Sequence, residues 1–216
     1  MKILFENEQY WVAVKPSGMV SEQDGGRGLA DLLAAQNGGY AAAIHRLDRE
    51  VSGLILFAKT PDAAARLSEF ARLGKLQKEY LAAVCGEPEE GAGEWTDLLY
   101  YDRAKNKVFP VTRERSGVKK AVLRYRVEAV AECAGIGTCS LVSVEPVTGR
   151  THQIRVQFAS RKHPVLGDRR YGGPALPQDA GQKRIFLSCR KISFPEGGGM
   201  REYILEPDWK EVFFSA

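Results

Sequence analysis

Apolar positions along the chain fall into short blocks, some continuous, some alternating and some at helical spacing. Residues 2–5 and 10–14 read as two strands separated by the polar Glu6-Asn7-Glu8 turn. The run from Gly28 to Ala35 predicts a short helix closing at Gly38-Gly39. A continuous apolar run, Leu54-Ile55-Leu56-Phe57-Ala58, predicts a buried strand. Thr60-Pro61-Asp62 then has the form of a helix start, with Thr as cap, Pro in the first turn and an acid near the positive end of the dipole. That helix places Ala63, Leu67, Phe70 and Ala71 on one face and stops at Gly74. Residues 77–85 predict a strand in which Glu79 and Tyr80 point to opposite faces.

Beyond a turn-rich connection at 86–94, Val108–Val111 and Ala121–Val130 read as strands joined through Ser116-Gly117, which predicts a hairpin at about 103–126. Residues 136–145 give a further strand, ended by Pro146. From Thr151 a helix is expected with Ile154 and Phe158 as a core pair, while His152, Arg155 and Ala159 share another face from which Arg155 can reach a cleft. Strand-like segments at 184–189 and 201–205 precede Pro207-Asp208-Trp209 and a short terminal helix.

Composition adds limits. At 216 residues, 44% hydrophobic and 27% charged, the chain can bury a core as a single domain over 1–216, and it lacks the bias of a disordered chain. No apolar run approaches the roughly 20 residues that span a bilayer and no signal-peptide pattern opens the sequence, so a cytoplasmic location is expected. Cys85, Cys133, Cys139 and Cys189 form no CxxC pair and read as reduced core thiols. The only histidines, His45, His152 and His163, have no carboxylate spacing that would complete a metal site, and none is expected.

The net charge of +4 is mild, but it hides a local excess. Residues 103–126 hold nine basic side chains (Arg103, Lys105, Lys107, Arg113, Arg115, Lys119, Lys120, Arg124 and Arg126) against one acid, Glu114. A ribbon of this kind can grip a phosphate backbone, although a solvated edge carrying outward charges has the same composition.

Candidate chemistry concentrates just before the buried strand. His45-Arg46-Leu47-Asp48-Arg49-Glu50 places five ionisable side chains in six positions at the edge of the core. A carboxylate flanked by Arg46 and Arg49 can stay ionised where desolvation alone would raise its pKa. Taken alone, such a loop reads more readily as a solvated connection than as a site.

The same loop, followed by Ser52-Gly53-Leu54 and a strand ending Ala58-Lys59-Thr60, resembles the catalytic signature of the RluA-type pseudouridine synthases. Three more stretches resemble that family in the same order. They are Lys15-Pro16-Ser17-Gly18, then Lys78-Glu79-Tyr80-Leu81, then Thr148-Gly149-Arg150-Thr151-His152-Gln153-Ile154-Arg155-Val156 leading to His163-Pro164-Val165-Leu166-Gly167-Asp168 and Tyr171-Gly172. Val14, Val51, Gln157-Phe158 and Ser188-Cys189 depart from the usual pattern and bear on the base pocket rather than on the catalytic candidates.

The resemblance implies an α+β fold with a mixed, mostly antiparallel central sheet, flanking helices and a catalytic cleft, without a separate N-terminal S4 RNA-binding domain. It implies an RNA isomerase acting on uridine in tRNA or rRNA, with no cofactor, no protein partner and a monomeric state. Among individual residues it implies Asp48 as the catalytic carboxylate, Tyr80 as the base-stacking tyrosine with a possible share in proton transfer, and Arg155 as the ion-pair partner of Asp48. Arg46 is implied to fill the space left by a flipped base, with RNA contacts expected also from His45, Arg150, Lys119 and Lys120. A non-catalytic RNA-binding or RNA-chaperone protein on the same fold is the alternative, and a hydrolase using Asp48 lacks a second carboxylate beyond Glu50.

Overall fold

The computed structural model describes residues 1–175 and 184–210. Its elements in chain order are β1 (Lys2–Glu6), β2 (Tyr10–Lys15), α1 (Leu29–Gln36), β3 (Ala42–Ala43), β4 (Ser52–Ala58), α2 (Pro61–Arg72) and β5 (Gln77–Cys85). They continue with β6 (Ala92–Asp102), β7 (Lys107–Val111), β8 (Val118–Cys133), β9 (Gly137–Pro146), α3 (Gln153–Ser160), β10 (Leu187–Glu196) and β11 (Gly199–Ile204). The strands are mixed and mostly antiparallel, with helices beside them, as expected for the α+β class. They fall into two compact units, Met1–Lys78 with Ser188–Pro207, and Glu79–Leu187 with Asp208–Ala216 as far as these residues are described.

The first unit is built on β2 and β4. Both are almost wholly buried, which is why their sequences are continuous apolar runs rather than alternating ones. They pair antiparallel from Tyr10↔Ala58 to Lys15↔Gly53, and β1, with alternating exposure, closes the edge beyond β2. On its other side β4 receives β3 and, in parallel, the start of β10 through Ser52↔Ser188 and Gly53↔Cys189. Gly53 has φ of +111°, and a Cβ there would lie 2.3 Å from the Cys189 carbonyl oxygen, so glycine alone permits this approach. The Thr60 hydroxyl accepts the Ala63 N–H and caps α2, which buries Ala63 and Leu67 as its apolar stripe predicts.

The second unit is antiparallel throughout, in the order β7-β6-β8-β9-β5. The helix α3 lies against one face of β6 and β7, where Val156 joins Leu99, Val108 and Ala121. Trp95, Tyr125 and Phe158 form an aromatic cluster beside them. Ile154 and Phe158 are core residues as expected, and the three buried cysteines together with half-buried Cys85 are free thiols.

The expected hairpin at 103–126 is not one. β6 lies between the two strands that were to form it, pairing with β7 through Leu98↔Val111 to Asp102↔Lys107 and with β8 through Ala92↔Arg126 to Tyr100↔Val118. The tight turn is at 103–106, where Asp102 Oδ1 accepts the Lys105 N–H and Asn106 takes a left-handed conformation. Residues 112–117 carry the chain across the end of β6. The segment at 184–189 is also the beginning of a longer strand, β10, and the expected terminal helix lies outside the described residues from 211 on.

Candidate active site

The loop bearing Asp48 is fastened by its backbone to the stretch that follows β2. Lys15 is fully buried, and its ammonium donates to the carbonyl oxygens of Pro16 (3.0 Å), Met19 (2.7 Å) and Arg49 (3.0 Å), one acceptor for each of its three protons. Gly18 N–H also donates to Arg49 O (2.7 Å), and the Ser17 hydroxyl donates to Glu50 O (2.7 Å). The Ser21 hydroxyl both donates to Leu47 O and accepts the Leu47 N–H, each at 3.0 Å. Within the loop, Val51 N–H closes a turn onto Asp48 O at 3.1 Å. The backbone on both sides of Asp48 is thereby held, while its side chain stays half-buried. Burial pushes the Lys15 pKa down to about 8, against the opposing pull of the nearby Asp48 and Glu50 charges.

The two arginines that flank Asp48 reach back to the segment before α1. Arg46 pairs with Glu22 at 3.2 Å and Arg49 with Asp24 at 3.4 Å, both on the surface. That segment is itself ordered by Asp31, whose carboxylate accepts the N–H groups of Asp24, Gly26 and Gly28, contacts that lower its pKa. With its side chain 72% exposed, Arg46 can leave Glu22 at little cost, since surface pairs contribute about 0–1 kcal/mol.

His45 differs from expectation. It is 8% exposed, and its Nε2 accepts the Leu56 N–H at 3.2 Å, so the ring latches the start of the loop to β4 rather than facing RNA. The proton therefore sits on Nδ1, which is buried and meets no hydrogen-bond partner among the described residues. Burial, with a smaller contribution from the Lys78 charge, lowers its pKa to about 3 and keeps it neutral.

In the second unit, Tyr80 is 8% exposed and lies opposite Val144 on β9. Arg155, on α3, has Asp168 as a buried partner that the sequence did not suggest. It is 2% exposed and forms a bidentate pair with Asp168, itself 1% exposed, through Nε to Oδ2 at 2.6 Å and Nη2 to Oδ1 at 2.9 Å. Asp168 is set by a tight loop in which its N–H bonds to Val165 O and its own carbonyl accepts the N–H groups of Tyr171 and Gly173. Gly167, at φ of +79°, permits that loop, because a Cβ there would lie 2.1 Å from Arg184 O. Tyr171 sits beside the pair, with its ring 5.4 Å from the guanidinium. Its hydroxyl accepts the Val108 N–H at 2.9 Å and shares a hydrogen bond with His152 Nδ1 at 2.9 Å. His152, at φ of +50°, holds a left-handed conformation uncommon for a residue with a side chain.

Arg150, Lys119 and Lys120 are exposed, as RNA contacts require, and Arg150 Nε is tied to Lys120 O at 2.9 Å. Lys119 and Lys120 alternate on β8 and so leave opposite faces of the sheet. The sequence reading left Lys15, Ser21, Asp168 and Tyr171 without roles. A buried lysine and a buried aspartate inside two of the four family-like stretches were the available signal. Among the described residues no cluster of ligating side chains could hold a metal ion, and no helix is long and apolar enough to cross a membrane.

The family described as RNA pseudouridylate synthase matches residues 9–160. Ribosomal large subunit pseudouridine synthase C of Yersinia pestis is 35% identical over 203 residues, covering 89% of this chain and 60% of that protein. The chain thus spans 60% to 62% of the length of such ribosomal relatives. The tRNA pseudouridine synthase C of Haemophilus ducreyi is 28% identical over 233 residues, covering 99% of this chain and 94% of that one. Among solved structures, human RNA pseudouridylate synthase domain containing 1 has a TM-score of 0.82 at 21% identity, covering 99% and 86%, a likeness of fold.

Proposed function

Because the chain belongs to the RNA pseudouridylate synthase family, we propose that it isomerises uridine in RNA to pseudouridine with Asp48 as the reacting carboxylate. The substrate class is tRNA or rRNA, the two named for the relatives. In this reaction the N1–C1′ bond breaks, the base turns over and a C5–C1′ bond forms, while the proton at C5 is lost and N1 gains one. Electrons balance without a cofactor or a group donor. Whether the carboxylate attacks C6, attacks C1′ or takes a ribose proton, the step needs an ionised oxygen held at a fixed place.

The observation that carries the reading is the fastening of residues 47–51 by Lys15, Ser17, Gly18 and Ser21, which commits several buried hydrogen bonds to the backbone around one half-buried carboxylate. A loop held in this way, with a buried ammonium near the Asp48 carboxylate, suits the positioning of a charged reactant. The roles of Tyr80 in stacking and of Arg155 in supporting the reaction are those the resemblance implies. Arg46, on a weak surface pair, is the candidate to occupy the place of a base flipped out of folded RNA. Both units are taken to serve one catalytic domain, acting as a cytoplasmic monomer without a protein partner.

The test is pseudouridine yield on matched RNA for the wild type and Asp48→Asn. The variant keeps size and most hydrogen bonding, so isomerisation should be lost while fold and RNA affinity survive. Robust turnover by Asp48→Asn, with reversion to Asp excluded by mass spectrometry, would refute the assignment. RNA binding by a wild type that never isomerises uridine would favour the non-catalytic reading.

A further inference from the structure

The β6–β7–β8 part of the second unit has two faces of different character. One is sealed, with Leu99, Val108 and Ala121 at most 3% exposed beneath Val156 of α3. The other carries Leu98 and Tyr100 from β6, Phe109 and Val111 from β7, and Val118 and Val122 from β8, all partly exposed. The register brings them together, since Tyr100 lies directly across from Phe109 on one side and Val118 on the other, and Leu98 is opposite Val111. A sheet face turned to water ordinarily carries polar side chains at these positions. Here six neighbouring outward positions are apolar, two of them aromatic.

The rim of this patch is mainly cationic, with two acids among the cations: Arg124 pairs with Glu94 at 2.9 Å and Lys105 lies 4.0 Å from Asp102. The Lys105 and Lys107 ammonium groups each lie 5.7 Å from the centre of the Phe109 ring, and the Arg115 guanidinium lies 4.7 Å from that of Tyr100. Lys120 and Arg124 project from β8 on the same side. A protein-binding patch is depleted of charge at its centre, whereas cations set over aromatic faces suit a partner made of flat rings joined by phosphates.

We propose that this face is a stacking platform for unpaired nucleobases of the RNA, with Tyr100 and Phe109 taking the bases and the surrounding lysines and Arg115 the phosphates. The proposal rests on the RNA reading above and assigns a second site of contact, distinct from residues 47–51. The cations now over the rings do not block it. A cation on an exposed ring is worth about two- to fivefold in an equilibrium constant, and a stacked base about five- to a hundredfold. A base therefore displaces the cation, and each long, flexible side chain is left beside the phosphate of the nucleotide that replaced it. Stacking tolerates any base, so the platform holds unpaired RNA without choosing its sequence.

The experiment compares wild type with the double variant Tyr100→Leu, Phe109→Leu, which keeps apolar side chains in the sheet but removes both ring faces. Affinity is measured for a short unstructured RNA oligonucleotide and for an RNA duplex of the same length, with thermal melting as a check on folding. The expected result is at least a tenfold loss for the unstructured RNA and less than a twofold change for the duplex. Equal loss on both probes, or no loss on either, overturns the platform while leaving pseudouridine formation by the wild type to judge the RNA reading separately. A wild type that binds neither probe overturns both. Should the double variant fail to fold, photo-cross-linking of wild type to bromouridine-containing RNA decides the matter. Adducts on Tyr100 or Phe109 support the platform, and adducts confined to other residues refute it.

Discussion

The pair between Arg155 and Asp168 sets up the most demanding test of the second unit. Both side chains are at most 2% exposed, and two short bonds join them. Arg155→Ala removes the guanidinium and leaves the Asp168 carboxylate buried without either bond, a change that costs about 3–5 kcal/mol. For a chain of this length each kcal/mol lowers Tm by roughly 2–4 °C, so a drop of about 6–20 °C is expected. Arg155→Lys restores charge but cannot form the fork, and should forfeit about the 1.5–3 kcal/mol of one charged hydrogen bond. Asp168→Asn should cost less than Arg155→Ala, because the amide oxygen still accepts one guanidinium N–H while the charge and the second bond are lost. The discriminating variant is Arg155→Met with Asp168→Leu, which removes both charges of this pair and should cost less than the summed costs of Arg155→Ala and Asp168→Asn. Urea unfolding of the set supplies the energies. A cost below about 1 kcal/mol for Arg155→Ala, or a double variant as weak as the sum of its parts, would refute the reasoning. The same numbers bear on catalysis, since loss of product in Arg155→Ala reports chemistry only after the loss of folded protein has been subtracted.

Two further outcomes follow from the geometry. His45 is held neutral with a pKa near 3, whereas in the unfolded chain it titrates near 6.5; the unfolded state therefore takes up the extra proton as pH falls between these values, and stability declines through that window. The share due to His45 is about 1.4 kcal/mol per pH unit and roughly 5 kcal/mol in all, so urea unfolding from pH 7 to pH 4 should show His45→Gln losing stability less steeply than wild type by about one proton; parallel curves would contradict the assignment. For RNA, Lys120→Gln should lower the salt slope of binding by about one phosphate equivalent and Lys119→Gln by less than half of that, because the two leave opposite faces of β8; equal effects would place the RNA elsewhere.

Local signals in the sequence were legible and long-range ones were not. The strand over 77–85 and the helix begun by Thr60-Pro61 stand where pattern and capping put them, because those features depend on neighbours in the chain. The strand β6 was missed: Gly93, Glu94 and Asp97 interrupt its first half, and its alternation is masked by an open face that is apolar too. Without β6, the strands on either side of it could only be read as partners. Asp48 stood out because it sits in a run of charges, but what holds it came from Lys15, whose Lys-Pro-Ser-Gly context reads as an ordinary turn. The bond between Arg155 and Asp168 depends on how the chain closes at Gly167, a geometry that no local pattern announces.

The order in which the chain is made has a consequence for the loop that carries Asp48. Its strand, β4, is completed on one side by β10 at Ser188 and Cys189, and these residues emerge only after every strand from β5 to β9, and α3, have been synthesised. The first unit must therefore wait, with the apolar edge of β4 unmatched beyond β3, while the second unit, local in sequence, gathers its own meander. The loop that carries Asp48 thus acquires the β10 neighbour of its strand only after the meander of the second unit has been made. A ribosome that stalls before Ser188 would present the charged loop on an unfinished sheet, exposed to chaperones and proteases rather than to RNA.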